Sequence, residues 1–139
     1  MPVADLEAYE DIPGTYLFNR YRSRQGYHLN QCFMSLLKAE NRTKFLADER
    51  AYLEAWGDLT GAQIAAVLAR DWLGMVKLGG NIYYMAKLIG TDNQTFQYVA
   101  GAMAGVTEDE YRNMMVAGGR PIDGNRSKSE WRKKEDNNG

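Results

Sequence analysis

TGAQIAAVLARDWLGMVKLGGNIYYMAKLIG, residues 60–90, decides the fold class. Thr60, with Gln63 three residues on, has the form of a capping box, in which hydroxyl and amide serve the orphan N–H groups of a helix start. Ile64, Val67 and Leu68 then recur at helical spacing, and the helix is read as running on through Trp72 to Leu78. Gly79-Gly80-Asn81 is a sharp break. Gly79 suits the left-handed position just past a helix end, and Asn81 can cap the next helix. That helix, Ile82 to Ile89, is apolar nearly all round except at Lys87, the pattern of a helix buried on most sides, and Gly90 is read as its stop.

The same period extends in both directions. Upstream, Leu29, Phe33, Leu36 and Leu37 share one helical face. Asn41 is the expected N-cap of the following helix, whose apolar face is Phe45, Tyr52, Leu53 and Trp56, with Glu49 between. Downstream, Thr95 is the expected cap of a short helix with Phe96, Val99, Ala100 and Met103 on one face, ended by Gly105. Thr107-Glu108-Asp109-Glu110 reads as a second capping box, Tyr111, Met114 and Met115 give its helix an apolar side, and Gly118-Gly119 closes the domain. No strand-like alternation is long enough to set against these helices. The expectation is an all-α fold: one compact domain of about six short helices over residues 27–119.

The flanks read differently. Residues 1–26 show no sustained period; Pro13-Gly14 marks a turn, and Arg20, Arg22 and Arg24 interleave with Tyr21. This is an expected extended N-terminal arm needing a surface to lie on. Residues 120–139 carry only Ile122 and Trp131 as large apolar groups, so a tail that is disordered in isolation is expected.

Composition bounds the function. A chain of 139 residues suits one domain, and a net charge of -1 exerts no global pull on nucleic acid. A helix-turn-helix DNA binder is disfavoured too, because Ile82 to Ile89 carries one Lys and Phe96 to Met103 carries no basic residue. No apolar run approaches the roughly 18 residues a membrane span needs. The acidic N-terminus does not look like a signal peptide, and a single cysteine suits a reducing compartment, so a cytoplasmic location is expected.

The catalytic inventory is short. There is one histidine, His28, and one cysteine, Cys32. A facial-triad iron site needs two histidines and a carboxylate, and structural zinc usually takes four Cys or His ligands. His28 is read as a structural or surface residue and Cys32 as a small core residue. No catalytic residue and no metal ligand is assigned, and any chemistry this chain serves is expected to be completed by a partner. Seven methionines and nine tyrosines fit core filling and adaptable contact surfaces.

A set of ordered segments goes further. Gly26-Tyr27-His28-Leu29-Asn30-Gln31 and Met34-Ser35-Leu36-Leu37-Lys38-Ala39-Glu40-Asn41-Arg42 come first. Ala47-Asp48-Glu49-Arg50-Ala51-Tyr52-Leu53, Ala66-Val67-Leu68-Ala69-Arg70-Asp71 and Gly79-Gly80-Asn81-Ile82-Tyr83-Tyr84 follow, and Thr107-Glu108-Asp109-Glu110-Tyr111 leads to Gly118-Gly119-Arg120. Together they resemble the small α subunit of the protocatechuate 4,5-dioxygenase family, over roughly residues 11–126. Asp92-Asn93-Gln94-Thr95-Phe96 looks like the family's Asp-Gly-Lys-Ser-Phe, with Phe96 kept and its approach changed, and Cys32 also departs from the family's pattern.

The resemblance implies a two-component, type III extradiol dioxygenase. Its β subunit holds Fe(II) on two His and one Glu, while the helical α subunit supplies no iron ligand and covers the β active site, typically as α2β2. The implied reaction opens protocatechuate with O2 to 4-carboxy-2-hydroxymuconate semialdehyde. Gallate and other dihydroxybenzoate dioxygenases use related α domains, sometimes fused to β. The implied lid residues over the aromatic diol are Phe96 and Met103, and the implied partner interface includes Tyr16, Phe18, Tyr21, Asn81 and Tyr84. The competing reading is a stand-alone helical interaction protein.

Overall fold

Most of the described helices start where a side chain can reach back to free amides. In the computed structural model, which describes residues 16–119, the Asn19 side chain accepts from the Tyr21 and Arg22 amides and opens α1, Arg20–Gln25. α2, Tyr27–Ser35, and α3, Ala39–Ala47, start without a side-chain cap. Asp48 accepts from the Ala51 amide at the head of α4, Glu49–Trp56. Thr60 and Gln63 form the complete capping box of α5, Gly61–Leu68. Asp71 caps α6, Trp72–Lys77; Asn81 caps α7, Ile82–Thr91; Thr95 caps α8, Phe96–Ala104. α9 is Glu108–Val116. The described residues therefore hold nine helices and no strand, and the all-α expectation holds.

The stops of α5, α6 and α7 share one geometry. After α5, α6 and α7 the next-but-one residue is left-handed: Arg70 at φ 52, Gly79 at φ 96 and Asn93 at φ 55. One residue later an amide reaches back five positions to a free carbonyl: Asp71 to Ala66 at 2.9 Å, Gly80 to Met75 at 2.8 Å, Gln94 to Ile89 at 3.1 Å. These are Schellman stops, and only one of the three uses glycine.

Several expectations need correction. Residues 20–25, read as part of an extended arm, form α1, because Asn19 supplies a cap and Gly26 lets the chain turn directly into α2. Asn41 does not cap α3; Lys38 occupies that position. Instead Asn41 Nδ2 donates to the Ser35 carbonyl at 2.8 Å, and Arg42 donates to the carbonyls of Leu36 and Leu37, so both close the end of α2. The second expected helix breaks at Asp48 and the third at Arg70-Asp71, each capped anew. Gly90 does not stop α7, which runs through Thr91. α7 buries one stripe, Met85, Leu88 and Ile89, and leaves Tyr83 82% exposed, so it is not buried on most sides. Leu37 lies past the end of α2 and is exposed.

The core is built from those stripes. Leu29, Cys32, Phe33 and Leu36 meet Phe45, Leu53, Val67, Trp72, Met75, Met85, Leu88, Ile89 and Val99 in one cluster. α2 packs along α7, α3 on α4, α5 between α4 and α6, and α8 against α6 and α7. At its centre the α1–α2 junction meets the α6–α7 turn backbone to backbone. A Cβ on Gly26 would collide with the Gly79 carbonyl, and one on Gly80 would lie 2.7 Å from the Met75 carbonyl. Two buried amides complete this joint. Asn30 Nδ2 donates to the Gly79 carbonyl at 3.0 Å, and its Oδ1 accepts from the Asn81 amide at 2.9 Å. Gln63 Nε2 donates to the carbonyls of Gln25 and Leu78. Backbone groups that would otherwise lack partners are satisfied by side chains 15 to 51 residues away along the chain.

The chain divides into two units. Among the described residues Phe18–Glu108 holds α1 to α8, and the other unit holds α9 from Asp109 on. Within the latter, α9 buries no residue fully and exposes Met115 and Val116, while Arg112 pairs with Asp109 at 2.9 Å. Residues 1–15 of the arm and the tail at 120–139 lie outside the described residues.

Candidate functional site

The exposed segment joining α7 to α8 is the candidate site. Asp92 ends α7, Asn93 turns left-handed, and Thr95 restarts the helix by accepting from the Tyr98 amide at 3.0 Å. Thr95 Oγ1 also donates to Glu108 Oε1 at 2.6 Å. Residues 93–98 are all exposed, and Val99 is the first to re-enter the core. Phe96 stands at this tip 57% exposed, with Tyr98 at 41%. Its exposure excludes the alternative that it simply joins the core with Val99. Met103, named with it, is partly buried and packs against the core.

The tip is fastened on its α7 side by an ion cluster that sequence reading missed. Arg70 Nε and Nη2 donate to both Asp92 carboxylate oxygens, at 2.6 and 3.0 Å. Nη2 also reaches Glu49, with contacts of 2.7 and 2.9 Å, and Nη1 donates to the Val67 carbonyl at 2.7 Å. The guanidinium lies over the Phe45 ring at 5.6 Å. Its side chain is 23% exposed, and those of Glu49 and Asp92 are 27% and 17%. Burial pulls the Arg70 pKa down, but hydrogen bonding and charge from Asp92, then Glu49, outweigh it and hold the guanidinium above its ordinary value. Holding a non-glycine residue left-handed costs about 1–2 kcal/mol. The sequence accepts that cost at Arg70, where its side chain closes this cluster.

The other expected interface residues fall into two kinds. Tyr16, Phe18 and Tyr21 are 41%, 40% and 56% exposed, and Arg20 lies over the Tyr21 ring. Asn81 is engaged within the fold, since its Oδ1 accepts from the Tyr83 amide and its own amide donates to Asn30. Tyr84 is partly buried against the core, whereas Tyr83, not singled out before, is the exposed tyrosine of α7.

Among the described residues no three His, Cys, Asp or Glu side chains converge to hold a metal ion. His28 is half-exposed at the surface, 3.7 Å from Asp58. Cys32 is buried, and desolvation pushes its thiol up to about 12. It is therefore neither a thiolate nucleophile nor a ready metal ligand at neutral pH.

The Cys32 shift has a measurable consequence. Because the folded pKa lies above the ordinary 9.0, the thiol's contribution to stability is complete below pH 9 and is lost as pH rises toward 12. Melting temperature should fall with a slope above pH 9 that Cys32→Ala reduces, and Cys32 should resist alkylation at pH 8 until the chain unfolds. Rapid labelling of folded protein would contradict this assignment.

Two comparisons bear on what this arrangement serves. The family model described as the aromatic-ring-opening dioxygenase LigAB, LigA subunit, matches residues 29–116. The chain is also 27% identical over 117 residues to gallate dioxygenase of Pseudomonas putida, covering 80% of this chain and 33% of that protein. The chain thus spans about a third of the length of this relative. Among the described residues no helix is long and apolar enough to cross a membrane.

Proposed function

This chain belongs to the LigA-subunit family of aromatic-ring-opening dioxygenases, and from that premise we propose that it is the non-catalytic α subunit of a two-component extradiol enzyme. In this reading it covers the active site of a β subunit that carries Fe(II), in a cytoplasmic α2β2 assembly whose substrate is protocatechuate. Family membership carries the proposal. The exposed aromatic tip at Phe96 supports the part played by this subunit.

A lid contributes without a reactive group. Covering a pocket excludes water and limits the orientations of the ring beneath it. An exposed phenyl group at the start of a helix suits that task, because it offers apolar area with only two side-chain torsions to fix. The gallate dioxygenase relative favours a second reading of the substrate, a more heavily hydroxylated benzoate, under the same subunit role.

The arm tests the partnership. Tyr16, Phe18 and Tyr21 expose large apolar groups beside three arginines, a composition suited to docking. Amide exchange over residues 16–25 is expected to slow at least tenfold when β is added, with the two chains co-eluting. Equal exchange with and without β, and separate elution, would refute the partnership.

A further inference from the structure

We propose that Arg70 is a positioning residue for Phe96, acting through Asp92 to hold the α7–α8 tip where it can select among ring substituents; the role in selection rests on the lid reading above. Three observations carry it. The exposed run 93–98 is fastened at Asp92, just before it, by the Arg70 double contact and at Thr95, within it, by the bond to Glu108. Arg70 is itself immobilised by Glu49, by the Val67 carbonyl and by the Phe45 ring, so it ties the tip to α4 and α5 rather than to another mobile group. It also occupies a left-handed helix stop, a place that glycine fills without strain, so local backbone geometry does not explain the arginine. A planar fork making two parallel bonds to one carboxylate fixes direction as well as distance, which a lysine would not. Asp92 is separated from Phe96 by three residues, and the Gln94 amide is bonded back to Ile89, so displacement of Asp92 is passed along a short, tethered path.

Asp92→Ala removes the tip's side of this contact while leaving Arg70 bound to Glu49 and Val67. Asp92 has ordinary helical backbone angles, so alanine fits there, and Asp92→Asn is the milder second variant, read by the same criteria. In the full chain without partner, exchange at the Asn93, Gln94 and Tyr98 amides is expected to quicken at least tenfold while the Leu29 and Leu53 amides keep their protection. No change at the tip, or equal acceleration in the core, would overturn the positioning role. In the complex with β, the ratio of kcat/KM for protocatechuate and gallate is expected to shift at least threefold in Asp92→Ala. The shift should go in the direction given by Phe96→Val, with no further shift in the double variant. A shift in Phe96→Val alone, or additive shifts, would overturn the proposal. A flat ratio in Phe96→Val would instead sink the lid reading, and the selection role of Arg70 with it, while the exchange result would still decide whether the contact orders the tip.

Discussion

Gly26→Ala is expected to lower the melting temperature by about 15 °C, from a loss of roughly 3 kcal/mol at the upper end of ordinary overpacking. The cause is space, not backbone conformation. Gly26 sits at φ -93 and ψ 7, angles alanine adopts readily, yet an added Cβ would overlap the Gly79 carbonyl and its carbon. Neither side can yield cheaply. Gly79 is the left-handed stop of α6, its carbonyl accepts from Asn30, and Gln63 ties both strands of the joint. Gly90→Ala is the matched control: it lies inside α7, exposed, with nothing within 4 Å of the added Cβ. Alanine there should raise stability by about 0.5–1 kcal/mol through helix propensity. If the two variants melt alike, the backbone contact at Gly26 does not hold the fold together.

Phe96→Val is expected to leave the melting temperature within about 2 °C of the parent and yet change substrate selection about tenfold. The stability half follows from exposure: a ring that is 57% exposed and outside the core cluster gives up little when shortened. The selectivity half follows from the proposed lid. Removing about four carbons of bulk above a ring changes the fit of its substituents, and pocket differences of even one methylene discriminate by about 10–200-fold. The ratio of kcat/KM for protocatechuate and gallate in the reconstituted complex reports it. A large fall in melting temperature with an unchanged ratio would place Phe96 in a structural role.

Much of the helical fold was legible in the sequence because its signals are local. The Thr60–Gln63 capping box, the Gly79-Gly80-Asn81 turn, the Thr95 cap and the Gly105 stop all read correctly, since each works through one or two nearby backbone groups. The breaks at Asp48 and Arg70 did not. A helix stop is read from glycine, and Arg70 occupies a left-handed stop without being one; only contacts with Glu49 and Asp92, 21 and 22 residues away, explain its presence. Asn93 is the same case in milder form, as asparagine tolerates the left-handed region better than most residues. Gly90 misled in the opposite sense, because glycine inside a helix is tolerated where nothing forces a turn. Asn41 was placed at the wrong helix end, since an amide can serve free carbonyls as well as free amides. The outward projection of Phe96 was not fixed by periodicity, which groups it with buried Val99; first-turn residues leave the packed stripe before the period shows it.

The division of labour between the subunits is decided by iron content and ring cleavage in three preparations: this chain alone, a β subunit alone, and the two mixed. No stoichiometric iron and no cleavage of protocatechuate are expected in the chain alone, with iron in β and full O2 consumption with ring opening only in the mixture. One tightly bound iron per copy of this chain, with ring-cleaving activity in the absence of β, would contradict that division.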